Sequence, residues 1–295
     1  MTTSVFRLLA AVLLTAGAAR AADKPAVHAD VVYGHKDGLA LTYDVITPAA
    51  PNGAAMIWIQ SGGWYSNWSD PAAWLVNGKP YLDKGYTVYI LRHGSAPKYA
   101  IPDAVADVRR GVRHIRMKAA DYGVDPERLG TLGGSAGGHL SLMLATTGDD
   151  GDPAAKDPVL KQSSNIAAAV ALYPPTDIST WVTDPPEIIK KNPGLKPPLT
   201  FDAKLAPELS PLLKASAKTA PSLIIHGDKD ELVPISHGQK MRDALEALKV
   251  PVKLVTIEGA AHGFNQKQNV EIVLPEMLKW YDTHLAAKKK DDKAP

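Results

Sequence analysis

The chain of 295 residues contains no cysteine. That excludes disulfides and thiolate metal sites, so an exported form must be stabilised by its core alone, which a chain of this length can manage. H-E-x-x-H is also missing, and His93 and His114 have no partners at metal-ligand spacing, which argues against a catalytic metal. There is no excess of one charge sign. Of 33 Lys and Arg, Arg7 and Arg20 lie in residues 1–21, which hold no acid, and the rest of the chain balances its 31 Asp and Glu. A balanced chain offers no basic field for nucleic acid and no steering of acidic substrates. The apolar run at residues 8–17 is too short for a stable membrane span.

That run has another use. Arg7 precedes it and Ala19-Arg20-Ala21 follows it as an A-x-A-like cleavage site. Residues 1–21 therefore read as a secretory signal peptide, which implies a secreted or periplasmic protein. Residues 286–295, with Lys288-Lys289-Lys290, read as a solvated, frayed tail. Between them lies one large domain, about 30–285.

Within it, Gly133-Gly134-Ser135-Ala136-Gly137-Gly138-His139 places a serine in G-x-S-x-G. Residues 128–132 before it read as a buried strand and 140–146 after it as a helix, the setting of a nucleophile elbow. A serine needs a neutral imidazole to take its proton, and that imidazole needs a carboxylate to orient it. The order Ser, acid, His is met further on. The strand at 222–226 runs into Asp228 and Asp230, and the strand at 252–257 runs into His262. Both lie just past a strand, where a parallel sheet places its ligands. Asp230 is preferred to Asp228 because it stands one step before the turn Leu232-Val233-Pro234 into the next helix. The other histidines have plainer readings. His139 lies down the helix, away from the elbow's tip, and His226 ends a strand where its ring bonds backbone.

Acyl transfer also needs donors for an oxyanion. The amide of Ala136, next after the serine, is one. Gly62 and Gly63, in the loop after the strand at 54–59, supply the others.

These motifs together resemble the α/β-hydrolase superfamily over roughly residues 30–285. The match lies in the elbow, Gly62-Gly63-Trp64, His226-Gly227-x-x-Asp230-x-x-Val233-Pro234 and the ending x-His262-Gly263-Phe264. Within that superfamily the chain is similar to carboxylesterases related to hormone-sensitive lipase, to acetylxylan esterases and to bacterial feruloyl esterases. Those families carry His-Gly-Gly-Gly-Trp where this chain has Gln60-Ser61-Gly62-Gly63-Trp64. The resemblance implies an exported serine esterase acting on short-chain or plant-polysaccharide esters, with a small ester or acylated carbohydrate as partner and no cofactor. A prolyl-oligopeptidase-like serine peptidase shares the fold and the triad, but the chain lacks the large domain such peptidases carry in front. A binding protein that keeps the fold without catalysis is the non-enzymatic alternative.

Alternating strands and helices predict a mainly parallel sheet with helices on both faces. Asp37-Gly38 between residues 31–33 and 39–45 predicts an antiparallel edge hairpin. Helices are expected at 72–84 and 101–122. The proline-rich stretch 178–212 breaks the rhythm and is expected to cap the site. Trp64 and Trp68 flank the oxyanion loop and are expected to contact substrate, while Trp58 and Trp74 pack in the core.

Overall fold

In the strand Thr87–Leu91 every side chain is buried, the pattern of a strand covered on both faces. It is β4 of an eight-stranded sheet that organises residues 24–287, the part described by the computed structural model. The signal peptide expected at 1–21, and residues 288–295 of the expected tail, lie outside the described residues. The other strands are β1 (Ala26–Lys36), β2 (Leu39–Thr47), β3 (Ala55–Ile59), β5 (Leu129–Gly134), β6 (Ala168–Leu172), β7 (Ser222–Gly227) and β8 (Val252–Ile257). Their spatial order is β1-β2-β4-β3-β5-β6-β7-β8. β1 pairs antiparallel with β2, and β2 with β4. All further pairs are parallel, so β3 to β8 end on one edge.

Alternation assigns the two faces. Tyr89 and Leu91 join one buried cluster with Ile57, Val108 and Val112, whereas Val88 and Ile90 join another with Met56, Met277 and Tyr281. On the first face lies α3 (Ile101–Lys118), which buries Ile101, Ala104, Val105, Val108, Val112 and Ile115 at helical spacing. Each large aliphatic side chain so buried contributes ~1.5–3 kcal/mol. α4 (Ala136–Thr147) is central and buried almost all round. α6 (Ser236–Ala247) and α8 (Leu274–His284) complete the layers. At the antiparallel edge, buried Asp44 accepts hydrogen bonds from the Arg92 guanidinium at 2.5 and 2.9 Å, which ties β2 to the end of β4.

The helix expected at 72–84 is instead two short pieces, α1 (Trp74–Asn77) and α2 (Lys79–Leu82), separated by Gly78. Pro80 has no N–H to continue the ladder. The helix expected at 101–122 stops at Lys118, and a tighter turn carries the chain to Tyr122. Residues 178–212 hold one short helix, α5 (Glu187–Lys191), and a string of single tight turns. Prolines 193, 197, 207 and 211 each start such a turn, because a fixed φ favours the first helical position and the missing donor prevents extension. α7 (Gln266–Gln268) leads through a wider turn at Asn269–Val273 into α8, and a tight turn at Pro71–Ala73 precedes α1. Among the described residues no helix is long and apolar enough to cross a membrane.

His139, fully buried on α4, fastens this string to the sheet. Its Nε2–H donates to the Leu209 carbonyl at 2.7 Å, and its Nδ1 accepts from Trp64 Nε1–H at 3.3 Å. Burial outweighs the backbone bond and pushes its pKa down to about 4, against ~6.5 for an unfolded histidine. Between those values the unfolded chain binds the extra proton, so the contribution of neutral His139 is complete above ~6.5 and is lost as pH falls towards ~4, at ~3 kcal/mol. The melting temperature is therefore expected to drop across that window, and His139→Gln should flatten the drop. An identical pH slope of Tm in wild type and variant, measured by calorimetry, would rule this out.

Candidate active site

Ser135 stands between β5 and α4 on a turn so tight that a Cβ on Gly133 would lie 2.3 Å from the carbonyl carbon of Gly137. Any side chain at 133 would push the helix off the strand. Ser135 itself has φ 52° and ψ −117°, a strained backbone for a residue with a Cβ. Two hydrogen bonds hold it there. Its N–H donates to the Leu172 carbonyl at 2.8 Å, and its carbonyl accepts the His139 N–H at 2.9 Å. The strain directs the hydroxyl away from the sheet.

His262 follows β8 and Asp230 follows β7, and the common edge of the parallel strands brings both to Ser135. His262 Nε2 lies 2.8 Å from Ser135 Oγ and its Nδ1 lies 2.7 Å from Asp230 Oδ2. The other carboxylate oxygen accepts the Leu232 and Val233 amides at 3.0 and 2.9 Å. Burial pushes the Asp230 carboxyl up, but the His226 and His262 hydrogen bonds, the Val233 amide and the charge of His262 outweigh it and hold it far below the usual carboxylate range. Asp228 does something else. Its Oδ1 accepts the Gly259 amide at 2.7 Å and ties the two loops together, without reaching His262.

Two neighbours were not apparent as site residues in the sequence. His226 donates to the Val233 carbonyl at 2.7 Å, the backbone bond its position suggested, but its Nε2 also lies 3.3 Å from Asp230 Oδ2. Tyr173, just past β6, packs edge-on against the His262 ring at 4.7 Å between centroids. Its place at a strand end on the ligand edge was the available signal.

The expected oxyanion donors separate. Gly62 N–H donates to the Tyr65 carbonyl at 3.0 Å and Tyr65 N–H returns the bond at 3.0 Å. The Gly62 amide is thus consumed in closing the turn and is not a donor for substrate. That closure puts Gly63 at φ 55° and Trp64 at φ 60°. The amides of Gly63 and Ala136 have no hydrogen-bond acceptor among the described residues, and Gly63 and Ser135 line the same cavity.

The tryptophans also part company. Trp64 is 5% exposed, bonds His139 and meets the Trp181 ring edge-on. It forms a wall of the cavity beside Ser135 and presents no open face. Trp68 is 62% exposed and lines a different hollow, with Thr42, Ser66 and Arg92. The reason is local. Ser66 Oγ donates to the Gln60 carbonyl at 2.7 Å and its amide to Ser95 Oγ at 3.0 Å, which turns the chain towards the end of β4. From the proline-rich string, Trp181, Ile189 and Leu195 line the Ser135 cavity. The Tyr65 hydroxyl donates to the Gly194 carbonyl at 2.8 Å, joining the string to the oxyanion loop.

The arrangement suits nucleophilic attack by an activated hydroxyl with stabilisation of an anion beside it. Among the described residues no group of three or more His, Cys, Asp or Glu is placed to hold a metal ion.

Comparison with known proteins agrees with the fold. The probable carboxylic ester hydrolase LipM of Mycobacterium tuberculosis is 28% identical over 186 residues, which is 61% of this chain and 42% of LipM. Esterase LipQ of the same organism is 27% identical over 232 residues, 73% of this chain and 52% of LipQ. The chain thus spans about half the length of these curated relatives. Thermogutta terrifontis esterase 2, in a structure phosphoramylated by tabun, superposes with a TM-score of 0.72 at 25% identity, over 90% of this chain and 97% of that one. The BD-FAE family model matches residues 43–245, from β2 into α6, a span that includes Ser135 and Asp230. With that match and this sheet, the chain belongs to the BD-FAE family and has the α/β-hydrolase fold.

Proposed function

We propose that the protein is a serine esterase that hydrolyses esters of short acyl groups through an acyl-enzyme on Ser135. The unbroken line from Ser135 Oγ through His262 to Asp230, beside the free amides of Gly63 and Ala136, carries this reading. His262 Nε2 takes the hydroxyl proton as Oγ attacks the ester carbonyl. The resulting oxyanion is held by the two amides. Collapse breaks the bond to the alcohol oxygen, which leaves with the proton from His262. Water then gives a proton to His262 and attacks the acyl carbon, and the carboxylic acid departs as Ser135 regains its proton. Asp230 stays ionised throughout and stabilises the imidazolium. Support comes also from the relatives, named as carboxylic ester hydrolase and esterase, and from an esterase neighbour modified by an organophosphorus agent.

The acyl group is limited by space. The cavity beside Ser135 is walled by Trp64, Pro175, Trp181, Ile189, Leu195 and Val233 and has about 20 Å³ of free volume. That is room for one water-sized group. A small acyl group such as acetyl suits that space, and longer chains are expected to press on Ile189 and Leu195. An acylated-carbohydrate substrate keeps the support of the sequence resemblance but not of Trp64 or Trp68, since one is walled in and the other lies at another hollow.

Three outcomes are expected. Ser135→Ala should reduce kcat on p-nitrophenyl acetate by on the order of 10⁴–10⁶ without unfolding, and a serine-directed phosphonate should label only the wild type. Labelling of another serine would move the nucleophile.

Asp230→Asn should lower kcat by roughly 10³–10⁴, whereas Asp228→Asn should stay within about threefold of wild type, because only Asp230 touches the imidazole. Equal losses would show that the two loops act as one structural unit.

In a p-nitrophenyl series, kcat/KM should fall by about tenfold or more from acetate to hexanoate, and Leu195→Ala should recover part of the loss. Each methylene buried in the enlarged pocket is worth ~0.8 kcal/mol. A flat series in the wild type would mean the acyl chain lies outside this cavity.

A further inference from the structure

Ser61 stands directly before the Gly62-Gly63 pair and carries a hydroxyl into the loop that follows β3. That hydroxyl lies 2.9 Å from Nε2 of His93, a residue only 5% exposed. His93 Nδ1 lies 2.8 Å from the Gly94 carbonyl, an acceptor only. Nδ1 must therefore carry the hydrogen, which leaves Nε2 bare to accept the Ser61 O–H. Burial keeps the ring neutral, lowering its pKa against the opposing effects of Gly94 and Asp107. The His93–Gly94 corner is itself anchored. Gly94 N–H donates to Asp107 Oδ2 on α3 at 2.9 Å, and Asp107 pairs with Lys36 at 2.8 Å.

On its main-chain side Ser61 reaches the other half of the site. Its carbonyl accepts the Gly137 N–H at 3.3 Å, one residue beyond Ala136. Two residues after Ser61 comes Gly63, the second free amide. One short segment thus spans both proposed oxyanion donors and is gripped from behind by a buried imidazole. Such a grip matters because hydrogen bonds to a developing charge depend steeply on where their donors stand.

We propose that His93 is a positioning residue which, through the Ser61 hydroxyl, sets the spacing between the Gly63 and Ala136 amides and so the fit of the oxyanion. This inference rests on the serine esterase reading. His93 touches no reacting atom; its effect passes through Ser61. It predicts a loss confined to the transition state, since the resting ester carbonyl makes weaker use of the two donors.

The test uses the full chain and p-nitrophenyl acetate. His93→Leu and Ser61→Ala should each lower kcat by about 10–100-fold with KM within about threefold, and the double variant should be no worse than either alone. His93→Gln, which restores an acceptor near Nε2, should recover most of the rate. A small alkylboronic acid, which adds to the serine as a tetrahedral mimic, should lose affinity by the same factor as kcat/KM. Unchanged kcat in a folded Ser61→Ala, or lower melting temperatures with unchanged boronate affinity, would overturn the inference and reduce His93 to packing. If His93→Leu fails to fold, Ser61→Ala and His93→Gln still decide the matter. Ser135→Ala separates the two claims: full activity there removes the esterase reading itself, whereas its loss beside unaffected His93 and Ser61 variants removes only the positioning role.

Discussion

The contact that everything else depends on is the close passage of β5 against the first turn of α4. With no Cβ at Gly133 the helix starts almost on the strand, and Ser135 is forced to a positive φ between them. The Leu172 carbonyl, at the end of the neighbouring strand, secures that strained residue by accepting its amide. The strain is offset by the surrounding sheet, in which β5, β6 and β7 are buried almost throughout. A site built on such rigid elements needs little reorganisation when charge develops.

The same first turn of α4 is a junction for the loops. Gly137 holds the oxyanion loop through Ser61, and His139 holds both Trp64 of that loop and Leu209 of the proline-rich string. The string gains a second attachment through Tyr65 and Gly194. Ser135, the free amides of Gly63 and Ala136 and the walls of the cavity beside them are therefore referenced to one helix end. The buried imidazoles His139 and His93 serve this junction by staying neutral, each presenting one donor and one acceptor. His262 alone faces a hydroxyl on one side and a carboxylate on the other. Three histidines share a residue type, and their surroundings assign them different tasks.

Much of this was legible in the chain itself. Local composition decides strands and turns: runs such as Thr87–Leu91 and Ala168–Leu172 are apolar or β-branched at the right length, and Asp37-Gly38 closes a hairpin. The elbow could be read because its small residues serve a backbone approach that larger ones forbid. The order of Ser135, Asp230 and His262 along the chain was readable because parallel strands deliver their loops to one edge. The break at Gly78 and Pro80 was also present in the sequence, as a glycine and a proline inside the span expected to be one helix.

Other features are decided only by three-dimensional closure. Asp228 and Asp230 are alike as residues, and the bond from Gly259 to one and from His262 to the other distinguishes them. Gly62 and Gly63 are equally permissive, but the pairing of Gly62 with Tyr65 spends one amide and leaves the other. Trp64 and Trp68 differ because Ser66 turns the chain between them, burying the first and sending the second to another hollow. The size of the cavity beside Ser135 depends on where a string of proline-started turns comes to rest, which no periodicity encodes. The chain by itself determined residue types, strand order in sequence and the small residues that permit close approach, because these act over a few neighbours. Which amide is free, which carboxylate meets the imidazole and how much room lies beside Ser135 are properties of groups far apart in sequence, and only their packing together could decide them.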